Sequence, residues 1–235
     1  MGSYADDALF MSRNNIEYVE LISDDGKSKV MVIPAWQGRV MTTSAAGDEG
    51  DSYGWINYSF IKKRQIDLQF NPVGGEERFW LGPEGGVFSL YFRQGEKQIY
   101  KNWKVPPVLD IEAFKIQSQS KNCICLTKEG CLTNACGTTF YLNIKRTISL
   151  LDINEFAASF NLEFPKDIKA VAYKSDNQIT NIGNESWNKE TGLISVWMLS
   201  MFNPTSATTV FIPYKQSRNC LLYTSPSPRD GLLSR

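Results

Sequence analysis

Histidine is absent from all 235 residues. The commonest general base, a common metal ligand and the standard partner of serine and cysteine nucleophiles are missing with it. Ser-His-Asp, Cys-His and histidine–metal chemistry are therefore excluded within this chain. An excess of charge is lacking as well: Lys+Arg and Asp+Glu are both 25, and the basic residues are scattered. Nucleic acid or an anionic membrane surface calls for a concentrated basic footprint, so neither is an expected partner. No apolar run approaches the roughly 20 residues that span a bilayer. The opening MGSYADDALFMSRNN has neither a basic n-region nor an apolar h-region, so it does not read as a secretory signal. As written, the chain is expected in the cytoplasm, unless an exporting segment is missing upstream. Paired C-x2-C knuckles are also lacking. Cys123, Cys125, Cys131 and Cys136 follow C-x-C-x5-C-x4-C, and Cys220 stands alone. That spacing does not close a tetrahedral zinc site. The cysteines read as structural thiols, with Cys123 and Cys125 on one side of a strand as two small core residues. No metal and no cofactor is expected.

What is present is alternation. Hydrophobic residues make up 42% and charged residues 21%, the balance of a globular chain. In Phe140–Leu150, residues Phe140, Leu142, Ile144, Ile148 and Leu150 share one face, and Arg146 is the only intruder on that apolar side. Phe156–Phe164 repeats the pattern, with Phe156, Ala158, Phe160, Leu162 and Phe164 inward. Both read as long strands with one wet face, as in an antiparallel sheet. Shorter strands are predicted at Tyr18–Ile22, Lys29–Ala35, Arg39–Ser44, Val87–Phe92, Phe114–Ser120, Lys169–Tyr173, Asn177–Ile182, Leu193–Met201 and Thr208–Ile212. Turns are predicted at Asp24-Asp25-Gly26, Gln37-Gly38, Glu129-Gly130 and Asn203-Pro204. Helical periodicity is confined to Asp6–Met11 and Phe60–Leu68. The expectation is an all-β, antiparallel chain with one continuous β-sandwich domain over residues 1–218.

After Arg218 the alternation stops at NCLLYTSPSPRDGLLSR. Residues 219–235 read as a non-native or disordered tail. CLLYTSPSPRD resembles a translated adapter or vector junction of the kind that ends reading frames in environmental sequence assemblies. The expectation is a C-terminally truncated domain.

Two constellations could carry function. The first is Gly74–Gly86, GGEERFWLGPEGG. Paired glycines on both sides permit positive φ or close backbone approach. Between them Trp80 can stack on a sugar ring, while Arg78 and Glu84 can hydrogen-bond hydroxyls. The alternative is a tight β-arch in which Trp80 is core and Arg78 pairs internally with Glu76 or Glu77. The second groups aromatics with amides: Trp55, Asn57 and Tyr58 in GWINYSF, and Trp187 and Trp197 around ETGLISVW. Glu76, Glu77 and Glu84 can be drawn as the acid and base of a glycosidase, but exposed acidic turn residues are the commoner explanation for such carboxylates.

With those residues in view, the chain resembles the galactose-mutarotase-like superfamily, and bacterial members of it in particular. The likeness rests on VMVIPAWQGRVMTTSA (Val30–Ala45), GGEERFWLGPEGG, and TNIGNESWNKETGLISVWMLSMF (Thr180–Phe202). It covers about Tyr18 to Tyr214. The resemblance implies an antiparallel β-supersandwich and a carbohydrate ligand. Better-known members of that superfamily interconvert sugar anomers with histidines as acid and a late glutamate as base. This chain has no histidine and ends before such a glutamate, so the resemblance points to binding in place of mutarotase catalysis. The expected function is a carbohydrate-binding β-sandwich protein taking a small carbohydrate or glycan, with Arg78, Trp80, Glu77, Glu84, Asn57 and Trp187 as contacts and no assigned catalytic residue. The alternative is a carbohydrate epimerase or other sugar-processing enzyme whose catalytic residues lie partly in a missing C-terminal region.

Overall fold

The computed structural model describes residues 2–165 and 167–212. They are predominantly β, and all the strand pairs are antiparallel. Helix α1 (Tyr4–Arg13) precedes strands β1 (Val19–Ile22), β2 (Lys29–Ile33) and β3 (Arg39–Ser44), which form a three-stranded sheet. Helix α2 (Tyr58–Lys62) leads to β4 (Arg78–Gly82), and the short helix α3 (Pro107–Asp110) leads to β5 (Lys115–Gln119), β6 (Cys123–Thr133) and β7 (Thr139–Leu151). Helix α4 (Ile153–Ser159) separates β7 from β8 (Ala172–Asn181) and β9 (Ser195–Leu199). Strands β5-β6-β7-β8 make a four-stranded meander, and β9 returns to pair with β4. Among the described residues, those up to Asn203 form one compact unit, and those from Pro204 to Ile212 belong to a second. The expected boundary at 218/219 lies outside the described residues.

Strands β2 and β3 are buried along their whole length. Val30, Val32 and Val40 join a core that includes Ile124, Leu126, Leu142, Ile144 and Ile148 from the inner face of the four-stranded sheet. Met31, Ile33 and Met41 point the other way, into a smaller cluster with Tyr4 and Met11 of α1 and Ile61 of α2. A strand buried on both faces loses alternation, which is why VMVI reads as a continuous apolar run. Helix α1 is set locally, by a capping box in which Ser3 and Asp6 exchange side-chain and backbone hydrogen bonds.

Most expected strands form. The expected Lys169–Tyr173 and Asn177–Ile182 merge into the single strand β8, which takes Ala172 and Tyr173 of the first and runs through Asn177–Asn181 of the second. Four expectations are corrected. Phe156–Phe164 is no strand: Asp152 caps α4 by accepting hydrogen bonds from the Asn154 and Glu155 N–H groups at 2.8 and 3.0 Å. That cap satisfies donors a strand would leave open, and it overrides the alternation. Val87–Phe92 is a folded loop, because Ser89 N–H bonds Gly86 O and Leu90 N–H bonds Pro83 O. Thr208–Ile212 forms no strand, since Thr208 closes a local turn onto Thr205. Glu129-Gly130 is not a turn but mid-strand, paired with Asn143 and Leu142. Glycine suits that place because a Cβ there would lie 3.0 Å from a Val108 methyl. Cys123 and Cys125 do share a face, but it is the one opposite Ile124 and Leu126, paired with Ser149 and Thr147. Both cysteines, like Cys131 and Cys136, are free thiols, and Cys220 lies outside the described residues.

Gly74 and Gly75 carry the chain from Ile56 toward β4 with φ of 95° and 117°. A Cβ on Gly75 would sit 2.4 Å from Arg39 Cδ, inside the core. Gly75→Ala is expected to lower unfolding free energy by about 2–3 kcal/mol, combining backbone strain with overpacking. Gly26→Ala, at φ 73° with open space around it, is expected to cost only about 1 kcal/mol. Urea denaturation of the two variants measures the difference.

Candidate functional site

Around the arch from Gly74 to Gly86, β4 sends side chains to both of its faces. Arg78 and Trp80 point one way, and Phe79 points the other. The Arg78 guanidinium is 1% exposed. Its Nη2 donates to Asp110 Oδ1 at 2.9 Å and to Leu109 O at 3.0 Å, both on α3. Asp110 Oδ2 in turn accepts from Asn71 N and Nδ2 at 2.9 and 2.7 Å. The internal partner of Arg78 is thus Asp110, in place of Glu76 or Glu77. Trp80 is 3% exposed and has no open face for a sugar. Arg78 Cζ lies 4.1 Å from its ring centroid, and Tyr91 stacks on it at 5.4 Å and 26°. Its Nε1 donates to Glu84 Oε1 at 2.7 Å.

Glu77 accepts from Arg146 Nη2 at 2.7 Å. Arg146, the lone charge on the apolar face of β7, is wholly buried, with its guanidinium 5.4 Å from the Phe79 ring. A third buried guanidinium, Arg39, donates to Gly74 O at 2.6 Å and to Gln37 Oε1 at 3.3 Å, and among the described residues it has no carboxylate partner. Burial, reinforced by the neighbouring Arg78 charge, holds the Arg39 pKa well below the usual arginine value. Glu76 accepts from Thr43 Oγ1 at 2.9 Å, and burial pushes its carboxyl up to about 7 despite that bond and one from Tyr173.

A ladder of aromatic rings runs outward from Trp80. Tyr91 stacks on Trp103 at 5.4 Å and 6°, and Trp103 on Tyr100 at 6.2 Å and 14°. Tyr91 is buried and Trp103 half-buried, whereas Tyr100 is 75% exposed. The outer rungs border a shallow groove of about 340 Å³ lined also by Glu84, Phe92, Gln98 and Ile99. Gln98 is held by a two-way bond with Gly86, donating to its O at 2.7 Å and accepting from its N at 2.8 Å. Arg78, Trp80 and Glu84 therefore belong to one assembly, whose outward end is the Tyr100 ring.

The other expected contacts lie elsewhere. Asn57 caps α2, accepting from Phe60 N at 3.1 Å and donating to Pro72 O at 2.9 Å. Trp187 meets Phe140 edge-on at 5.7 Å and borders a separate cleft with Tyr141, Asn181 and Glu185. Trp197 pairs in register with Trp80, and Tyr58 donates to Asp7 at 2.5 Å. Sequence reasoning missed Tyr91, Tyr100, Trp103, Asp110 and Arg39. Tyr91 and Trp103 sit in irregular loops and Tyr100 opens a single 3-10 turn (Tyr100–Asn102), so no period reveals the rings; only the misplaced charge of Arg146 was a usable signal. Among the described residues no group of three or more Cys, Asp and Glu could hold a metal ion, and no helix is long and apolar enough to cross a membrane.

Fold and site together define a mostly β, antiparallel protein with buried arginines behind an aromatic ladder. Residues 2–224 match DUF6786, a family of unknown function, and the chain belongs to that family. No curated protein and no solved structure matches it.

Two outcomes follow from the buried charges. Glu77→Gln leaves Arg146 without its carboxylate and is expected to cost about 3–5 kcal/mol. The double variant Glu77→Gln/Arg146→Met is expected to be more stable than Glu77→Gln alone; chemical denaturation compares them. Glu76 has a folded pKa of about 7 against an unfolded 4.5. Below pH 4.5 it is protonated in both states. Between about 4.5 and 7 only the unfolded chain releases the proton, so stability conferred at low pH is lost as pH rises. Relative to Glu76→Gln, the native protein is expected to lose on the order of 3 kcal/mol across that window, measured by urea titrations at pH 4.5 and 8.

Proposed function

We propose that this DUF6786 member is a carbohydrate-binding β-sandwich protein of the galactose-mutarotase-like type, working without that superfamily's histidine chemistry. The observation that carries the reading is the Tyr100 ring, 75% exposed yet stacked at 14° on Trp103. An isolated surface tyrosine adapts to any neighbour. One fixed by a ladder reaching Trp80 and Arg78 is preorganised, so it presents a flat apolar face at little entropic cost. The axial C–H groups of a pyranose are a natural complement to such a face. Glu84, on the groove wall, supplies hydrogen-bond acceptors for its hydroxyls. Trp80 and Arg78 then act as the buried support of the platform, and Glu84 as the expected contact that reaches the ligand.

A second reading, a carbohydrate epimerase, rests on Glu84, the carboxylate that lines the groove beside Tyr100 and could face a bound sugar. Polarimetry on freshly dissolved glucose and galactose tests it; mutarotation no faster than in buffer removes it for those sugars. For the binding reading, titration calorimetry with a panel of neutral and acidic oligosaccharides is expected to give a ligand whose affinity falls roughly tenfold or more in Tyr100→Ala, about 1.4 kcal/mol or more, with Tm nearly unchanged. Trp80→Ala, by contrast, is expected to lose several kcal/mol of stability. Unchanged affinity in Tyr100→Ala would exclude the platform.

A further inference from the structure

The chain as a whole is charge-balanced, but the segment that bears the platform is not. Between residues 93 and 104 stand Arg93, Lys97, Lys101 and Lys104 against the single carboxylate of Glu96. None of these four cations enters an ion pair among the described residues. Arg93 and Lys104 are exposed, and both line a second groove, of about 470 Å³, beside the platform. Phe92 lines both grooves, and Asn102, next to Trp103, lines the second. Its floor is apolar, formed by Leu90, Tyr91, Val105 and Leu132. No acidic residue is among the described residues that line it.

An apolar floor under two unpaired cations selects an occupant with a flat hydrocarbon face and a negative group at its edge. A neutral sugar satisfies the floor but leaves the cations in water. A simple anion satisfies the cations but not the floor. We propose that the two adjoining grooves bind an acidic glycan: one residue stacks on Tyr100, and the carboxylate of a neighbouring hexuronate residue is held by Arg93 and Lys104. Guanidinium-to-carboxylate hydrogen bonds are charge-assisted, and in a cleft the field of two like charges is less screened than on an open surface. The assignment rests on the carbohydrate reading above and names its substrate class.

The test uses trimers of galacturonate, glucuronate and mannuronate, each beside its methyl ester, which keeps the ring and removes the charge. Calorimetry at low salt is expected to show at least one acid binding roughly tenfold more tightly than its ester, a difference of about 1.4 kcal/mol. The preference is expected to shrink as ionic strength rises past the point where the Debye length is about 10 Å. It is expected to vanish in Arg93→Gln/Lys104→Gln, whose side chains are exposed and whose Tm should match the native protein. Tyr100→Ala should weaken acid and ester alike. Acid and ester binding equally, both dependent on Tyr100, would overturn the uronate assignment and leave the carbohydrate platform standing. No binding of any trimer would overturn the uronate assignment, and failure of the neutral panel as well would remove the carbohydrate reading.

Discussion

Burying a guanidinium is costly because water solvates it so well, and among the described residues the core of this protein contains three. The ion pair between Arg146 and Glu77 at 2.7 Å joins the four-stranded sheet to the strand-like segment before β4. The pair between Arg78 and Asp110 joins β4 to α3. A charge pair in the interior tolerates little displacement, since separation leaves each member desolvated and alone. These two bonds therefore dictate where β4 lies relative to β7 and α3. The backbone bonds of Glu76 and Glu77 to Met41 and Val40 of β3 fix the same segment from its other edge.

Everything in the candidate site descends from that placement. Arg78, held by Asp110 and Leu109 O, offers its face to Trp80. Trp80, bonded to Glu84 and stacked with Tyr91, begins the ladder that ends at Tyr100. An exposed aromatic is thereby coupled through ring contacts to the buried ion pair of Arg78 and Asp110. The same loops bring a locally basic stretch beside an apolar groove. That local charge is not visible in the overall balance of 25 against 25.

Arg39 shows how far the core departs from simple pairing. Among the described residues it neutralises no carboxylate by direct contact, and it uses Gly74 O and the Gln37 side chain as acceptors. The Gly74–Gly75 pair is needed there, because a side chain at Gly75 would occupy the space of the Arg39 stem. The glycines singled out by their permissive backbone thus act through close approach of an arginine to the main chain, inside the protein.

Alternation alone determined that the chain is mostly β, that its sheets are antiparallel, and where the long strand β7 runs. It also exposed Arg146 as a charge on an apolar face. A period of two depends only on nearest neighbours along the strand, so it survives without knowledge of the fold. The Gly74–Gly86 segment likewise announced itself by composition, but composition cannot say which way a side chain points. Pairing with Asp110 rather than Glu76 or Glu77, the burial of Trp80, and the capping of α4 by Asp152 depended on partners brought together by folding or by local hydrogen bonds that outcompete periodicity. The Trp80–Tyr91–Trp103–Tyr100 ladder unites rings from a strand and from irregular loops. Loops have no period, so only the tertiary structure could place those rings in register and turn the last of them to the surface.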